Sequence, residues 1–197
     1  MPPALRPYQR KLKADTYAFW NSRTDPSNVM AVAATGSGKT VLFSDILAEY
    51  QGVRGALVHR QELVGQISLT LGKYGVRHRV IGAEKTVRDI ISQHITELGT
   101  NYVDQNAKCF AASVDTLNGE PDAPWMQQTG LIVTDESHHV LKTNKWGKAM
   151  ARFSRAYGFM PTATPGRPDG LGLGRHADGL ADVLLAAPEM RDIINMG

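Results

Sequence analysis

The stretch Val29-Met-Ala-Val-Ala-Ala-Thr-Gly-Ser-Gly-Lys-Thr40 changes character halfway along. Its first half, Val29–Ala34, is an apolar run of strand length; glycines at 36 and 38 then break it, and a helical pattern runs from Thr40 to Tyr50. Strand, glycine turn, Lys-Thr and helix in that order are the context a phosphate-binding loop requires. Successive backbone N–H groups must converge on phosphate oxygens, which excludes bulky side chains and favours free φ at Gly36 and Gly38. Lys39 supplies a mobile cation for β- and γ-phosphates, the Thr40 hydroxyl suits Mg²⁺, and the helix N-terminus adds partial positive charge. The full pattern has glycine where Ala33 stands. That departure bears on loop geometry; Thr35, Gly36, Ser37, Gly38, Lys39 and Thr40 keep the contact-bearing half.

Outward from this loop, short apolar runs alternate with helical patterns. Gly55–His59, Arg79–Ile81, Lys108–Ala112, Leu131–Thr134 and Ala156–Met160 read as strands, and residues 60–73 and 84–98 as helices. Near-continuous apolar strands in alternation with helices predict an α/β fold, a mostly parallel sheet flanked by helices on both faces. Ligands of such sheets gather at the carboxyl ends of strands, and the polar motifs all fall there. After Met160 the Gly- and Pro-rich stretch 161–174 reads as a loop, and 181–195 as a weak helix broken by Pro188. Tyr17, Phe19 and Trp20 read as packing residues of a first helix.

The 197 residues carry a net charge of +3, compatible with an anionic partner but too weak to argue nucleic-acid binding alone. The single cysteine, Cys109, removes intramolecular disulfides and multi-cysteine zinc sites, and reads as a small buried strand residue. No apolar run approaches ~18 residues and the start has no apolar leader core, so the expectation is a soluble cytoplasmic protein without membrane contact.

The second informative stretch is Leu131-Ile-Val-Thr-Asp-Glu-Ser-His-His-Val140. A phosphate loop needs a carboxylate on Mg²⁺ and another to orient or deprotonate a water. Asp135 and Glu136 follow an apolar strand, and strand alternation would aim them to opposite sides. Asp135 is assigned to the metal and Glu136 to the hydrolytic water. A zinc site would need further ligands, and adjacent His138 and His139 cannot both face one ion from a regular helix. His138 reads as a link from the nucleotide site to neighbouring loops, and His139 as structural.

With these motifs placed, the chain resembles the first RecA-like lobe of a superfamily 2 helicase or translocase, DEAD/DEAH-like and nearest the phage and restriction-type group. The resemblance covers roughly residues 5–175, with residues 176–197 leading toward an absent second lobe. Leu5-Arg-Pro-Tyr-Gln9 resembles the segment that reads adenine, which implies nucleotide contacts for Arg6 and Gln9, with Tyr8 close by. Residues 34–40 match motif I, Leu57–Gln66 motif Ia, Asp135–His138 motif II and Thr162-Ala-Thr-Pro165 motif III. The resemblance further implies ATP and Mg²⁺ as cofactors, and coupling roles for Thr162, Thr164 and Arg167. It implies backbone-phosphate contacts through Arg60 and Gln61, and through Ser113 and Thr116 of the Thr-x-Leu element, with helix capping as the alternative use of these residues. Ser137 replaces the commoner Ala or Cys, small for small. Asp115 puts an acid where a neutral residue is usual, which weakens that contact. Lys142, Lys145, Lys148 and Trp146 read as an ordinary exposed helix face.

No Gln-x-x-Gly-Arg-x-x-Arg element occurs in these residues, so the arginines of a second lobe are missing from them. The expectation is an ATP-hydrolysing lobe, weak alone, that acts on nucleic acid (DNA before RNA) and needs a second RecA-like lobe, on a longer chain or a separate one. The competing readings are a hydrolysis-deficient regulatory or interaction subunit and the motor fragment of a restriction-type enzyme.

Overall fold

The central apolar runs become strands that are covered on both sides. The computed structural model describes residues 2–166 and 171–188. In chain order these form α1 (Pro7–Asn21), β1 (Asn28–Val32), α2 (Lys39–Glu49), β2 (Val53–Val58), α3 (Gln61–Lys73), β3 (His78–Ile81), α4 (Glu84–Leu98) and β4 (Cys109–Ser113). Then come α5 (Val114–Gly119), α6 (Pro124–Gln127), β5 (Thr129–Thr134), α7 (Lys145–Ala151), β6 (Tyr157–Thr162) and β7 (Val183–Ala186). The strands make one sheet in the order β3-β4-β2-β5-β6-β1-β7, and every pairing in it is parallel.

The pleat divides each strand between two cores. Val29 and Ala31, Ala56 and Val58, and Leu131 and Val133 join Phe43, Ile46 and Leu71 on one face. Met30, Leu57, Phe110 and Ile132 point the other way, to Leu117, Trp146 and Phe153. An alternation that would expose every second residue of a one-sided sheet here leaves no residue of β1, β2, β4, β5 or β6 exposed. Trp20 packs in the first core and donates from Nε1 to the Ser27 carbonyl at 3.1 Å, while Tyr17 and Phe19 lie half-buried against it. Cys109 is buried on β4. No described helix is long and apolar enough to cross a membrane.

The tail corrects a sequence expectation. Residues 183–186 form not a helix but the edge strand β7, in register with β1 from Val29↔Val183 to Val32↔Ala186. Val183 and Leu185 pack on the first core while Leu184 stays exposed, a period of two that pairing with β1 selects over weak helix propensity. Asn28 fastens the strand: its N–H donates to Asp182 Oδ2 at 2.8 Å and its Nδ2 to the Leu180 carbonyl at 2.9 Å. The loop expected over 161–174 starts later, since Pro161 and Thr162 still belong to β6; 163–166 and 171–173 are loop, and Gly174 bridges to Ala181. Arg167, with Asp169, Gly170 and the last residues 189–197, lies outside the described residues.

Candidate nucleotide and nucleic-acid site

The loop between β1 and α2 is shaped by two glycines in the left-handed region, Gly36 at φ 77° and Gly38 at φ 80°. Ala33 takes no such angle; it is buried, and its N–H donates to the Thr162 carbonyl at 3.0 Å. The missing glycine of the full pattern therefore asks nothing unusual of the backbone. Gly38 caps α2 without a side-chain bond, which leaves the first N–H groups of that helix to an external acceptor. Lys39 Nζ donates to the carbonyls of Ala33 and Ala34 at 3.2 and 3.3 Å. Thr35 is exposed, and the Ser37 hydroxyl is buried with no partner.

Beneath the loop, α1 braces it. Gln9 is buried, and its Nε2 donates to the carbonyls of Ser37 and Gly38, both at 3.0 Å, while its Oε1 accepts from the Arg6 N–H at 2.8 Å. The Tyr8 hydroxyl donates to the same Ser37 carbonyl. Arg6 is exposed at the helix N-cap. Both donors of the Gln9 amide are thus engaged by the phosphate loop, a role that the family resemblance did not single out. Gln9→Ala strands the Arg6 N–H and takes one donor each from the Ser37 and Gly38 carbonyls, which keep the Tyr8 hydroxyl and the Leu42 N–H, and is expected to lower stability by about 1–3 kcal/mol in urea denaturation. An unchanged midpoint would refute that bracing role.

Strand alternation does not govern Asp135 and Glu136, because both lie past the end of β5. β5 ends at Thr134, and although the Asp135 N–H still donates to the Leu57 carbonyl at 3.0 Å, Glu136 turns into the left-handed region at φ 53°. A non-glycine residue held there is uncommon, and such residues cluster at functional sites. Burial raises the Asp135 carboxyl above its usual range; the bond from the Glu136 N–H opposes this, the Glu136 charge adds to it, and Lys39 opposes it. Lys39 and Asp135 therefore share one electrostatic site.

His138 connects this pair to the end of β6. Its Nδ1 lies 3.3 Å from Glu136 Oε2 and 3.2 Å from Thr162 Oγ1, and Thr162 Oγ1 accepts from the Thr164 N–H at 3.3 Å. His138 thus touches both Glu136 and Thr162, and Thr162 in turn holds the Thr164 N–H. The Ser137 hydroxyl lies buried against Thr134, its Oγ 3.0 Å from Thr134 Oγ1, so the departure from Ala or Cys is satisfied internally. The ring of His139 sits 4.0 Å from that of His138 and stacks at 5.8 Å on His59, itself stacked on buried Trp146. Burial lowers the His139 pKa, and the neighbouring histidines lower it further.

The four residues suggested for nucleic-acid phosphates gather at the ends of β2 and β4. Arg60 is exposed at the N-cap of α3, and Gln61 Nε2 donates to Thr116 Oγ1 at 3.3 Å. Ser113 is buried and caps α5, accepting from the Thr116 N–H at 3.2 Å, so its hydroxyl serves its own helix first. Asp115 is not a bare acid: Lys145 Nζ sits 3.0 and 2.9 Å from its two oxygens. Lys142, Lys145 and Lys148 are exposed, as expected of an ordinary surface face; the departure is Trp146, which is buried. Lys145 neutralises Asp115, Lys142 donates to the Arg175 carbonyl at 2.7 Å, and Trp146 is core.

Comparison with known proteins bears on this arrangement. A family model described as "Type III restriction enzyme, res subunit" matches residues 3–167. The UvsW helicase of bacteriophage T4 superposes with a TM-score of 0.63 at 13% identity, over 92% of this chain and 59% of that one. The helicase domain of Hef from Pyrococcus furiosus gives 0.64 at 19% identity, over 95% and 39%. A nuclease-deletion mutant of the type ISP restriction-modification enzyme LlaGI, solved with a DNA substrate mimic, gives 0.64 at 13%, over 98% and 21%. At such identities the likeness is one of fold, and this chain spans from about a fifth to about three-fifths of those lengths. No curated protein sequence matches.

Proposed function

Because the chain belongs to the family of type III restriction enzyme res subunits and has the RecA-like ATPase-lobe fold of superfamily 2 helicases, we propose that it binds and hydrolyses ATP to drive movement on nucleic acid. One observation supports this reading above the others. Glu136, held left-handed at the end of β5, lies beside His138, which also reaches Thr162 at the end of β6. A hydrolytic carboxylate is thereby tied to the loop that resembles the coupling motif.

The residues present fit a nucleoside triphosphate with its metal. Nothing lies within 4 Å of where a side chain at Gly36 would begin, a Cβ at Gly38 would press on Gln9 Nε2, and the Ser37 hydroxyl is buried without a partner. The N–H groups of residues 36–40 converge on phosphate oxygens, and Lys39 leaves its carbonyl partners for the β- and γ-phosphates. Thr40 and Asp135 would hold Mg²⁺, which when bound neutralises phosphate charge. Glu136 orients the attacking water and takes its proton, and His138 fixes that carboxylate. Arg60 and the Gln61–Thr116 pair hold backbone phosphates, so binding is sequence-independent and salt-sensitive, with DNA favoured as the substrate. A second RecA-like lobe, on the same polypeptide or another, completes the cleft with arginines, and the assembly works in the cytoplasm.

The test is phosphate release from ATP with and without single-stranded DNA or RNA, and with a matching second lobe. Turnover should rise at least about tenfold with nucleic acid and second lobe together, since arginines supplied from outside carry large factors in phosphoryl transfer. Arg60→Ala should lower the salt slope of binding by about one. A chain that fails to bind Mg-ATP would refute the proposal.

A further inference from the structure

A cleft of about 500 Å³ opens at the β3 edge of the sheet, between β3, the start of α4 and the segment joining α5 to α6. None of the residues singled out by the motifs lines it. Arg79 does, from β3, where it stands in register with Phe110 of β4. Its guanidinium carbon lies 4.2 Å from the ring centroid of Trp125 and 5.9 Å from that of Phe110. Stacking holds the planar cation in place. Its Nε is buried without a partner, and among the described residues no hydrogen bond or ion pair reaches the guanidinium. A half-desolvated arginine whose donors are unused is costly unless something brings acceptors to it.

The rim narrows what that something is. Arg88 pairs at 3.6 Å with exposed Glu84, Gln105 adds an amide, and Glu120 is exposed at the margin. Trp125 is half-buried and offers apolar surface beside the cation. Flat apolar surface beside a fork of unused donors suits a ligand with a planar ring and oxygen acceptors. Location supplies the rest. Arg60 and Gln61 follow β2 and Thr116 follows β4; β3 is the next strand out, and Gly82 and Glu84, which follow it, line the cleft, while Arg79 stands level with Phe110, three residues before Ser113.

We propose that this cleft seats an unstacked nucleotide of the single strand, with Arg79 donating to its phosphate or base-edge oxygens and Trp125 as its aromatic wall. The inference rests on the nucleic-acid reading above and extends it beyond the helicase-like motifs. Base–aromatic stacking tolerates any sequence, in keeping with backbone recognition elsewhere on the lobe.

Tryptophan fluorescence reads this site selectively. Trp20 and Trp146 are 5% and 1% exposed, which leaves Trp125 as the one of three tryptophans that a ligand can touch. Oligothymidylate or oligouridylate, added to the full chain with a non-hydrolysable ATP analogue, should quench emission, and Trp125→Phe should abolish the quench. Arg79→Gln and Trp125→Leu should each weaken oligonucleotide binding about tenfold while ATP affinity and melting temperature hold. Wild-type binding with the quench intact in Trp125→Phe, or with unchanged affinity in folded Arg79→Gln, overturns the cleft alone. Loss of oligonucleotide binding on Arg60→Ala but not on Arg79→Gln likewise overturns it. A wild-type chain that binds ATP but neither oligonucleotide overturns the cleft together with the nucleic-acid reading.

Discussion

Glu136→Gln lowers ATP turnover by about 10²–10⁴-fold and leaves nucleotide affinity within about threefold, the separation expected when a general base is lost and the binding loop is untouched. The substitution preserves shape and keeps an oxygen for His138, which now lies 3.3 Å from Glu136 Oε2. What it removes is the capacity to take a proton from water. The loop after β1, by contrast, is shaped by Gly36 and Gly38, and Lys39 donates to the Ala33 and Ala34 carbonyls. Steady-state phosphate release and equilibrium binding of a fluorescent ATP analogue distinguish the two effects. Equal turnover in variant and wild type would remove Glu136 from the mechanism. A parallel fall in affinity would instead make it part of the binding surface.

The second large effect is on stability, and it appears in acid. His78 and His94 are fully buried on either side of the Ser68 hydroxyl, at 2.7 and 3.0 Å, and His78 Nδ1 faces the Val76 carbonyl at 2.8 Å. Burial pushes the His78 pKa down to about 4, and lowers that of His94 as well. In the unfolded chain a histidine takes its proton near pH 6.5. The neutral ring therefore contributes stability that is present above that value, is lost as pH falls through the interval, and is gone below about 4. The shift corresponds to about 3 kcal/mol. Urea midpoints measured from pH 7 to pH 4 should fall accordingly, and His78→Phe should flatten the dependence. A wild-type midpoint constant over that interval would contradict the burial of an uncharged pair.

Much of this was legible in the residues, and the exceptions share a cause. The helix over Glu84–Leu98 has the predicted limits because its apolar period is strong and Gly99, at φ 72°, stops it. The turn between β1 and α2 was legible for a similar reason: Gly36 and Gly38, both left-handed, interrupt the apolar run between strand and helix. What was hidden depends on partners far away in sequence. β7 reads as a weak helix until Asn28, 154 residues earlier, takes hold of Asp182. Asp115 looks like an unfavourable acid until Lys145 is seen across 30 residues. The strand read at Arg79–Ile81 begins one residue earlier, and nothing in the polar string Arg77-His-Arg79 shows that His78 is core or that Arg79 lines a cleft. The backbone turn at Glu136 has no signature in composition, since nothing in Asp-Glu-Ser announces a left-handed residue.

β1, the strand that feeds the phosphate loop, lies between β6 and β7, and both neighbours hold it through parallel ladders. β6 and β7 are joined by the stretch that begins with Thr162-Ala-Thr-Pro165, so that stretch is a closed span with both feet on the flanks of one strand. Any chain boundary drawn before Ala187 would cut one foot free. It would leave Met30 and its neighbours as a bare hydrogen-bonding margin, ready to recruit the same strand from another molecule. The short β7 thus acts as a selvedge: it moves the open edge of the sheet one strand away from β1 and the glycine turn that β1 leads into.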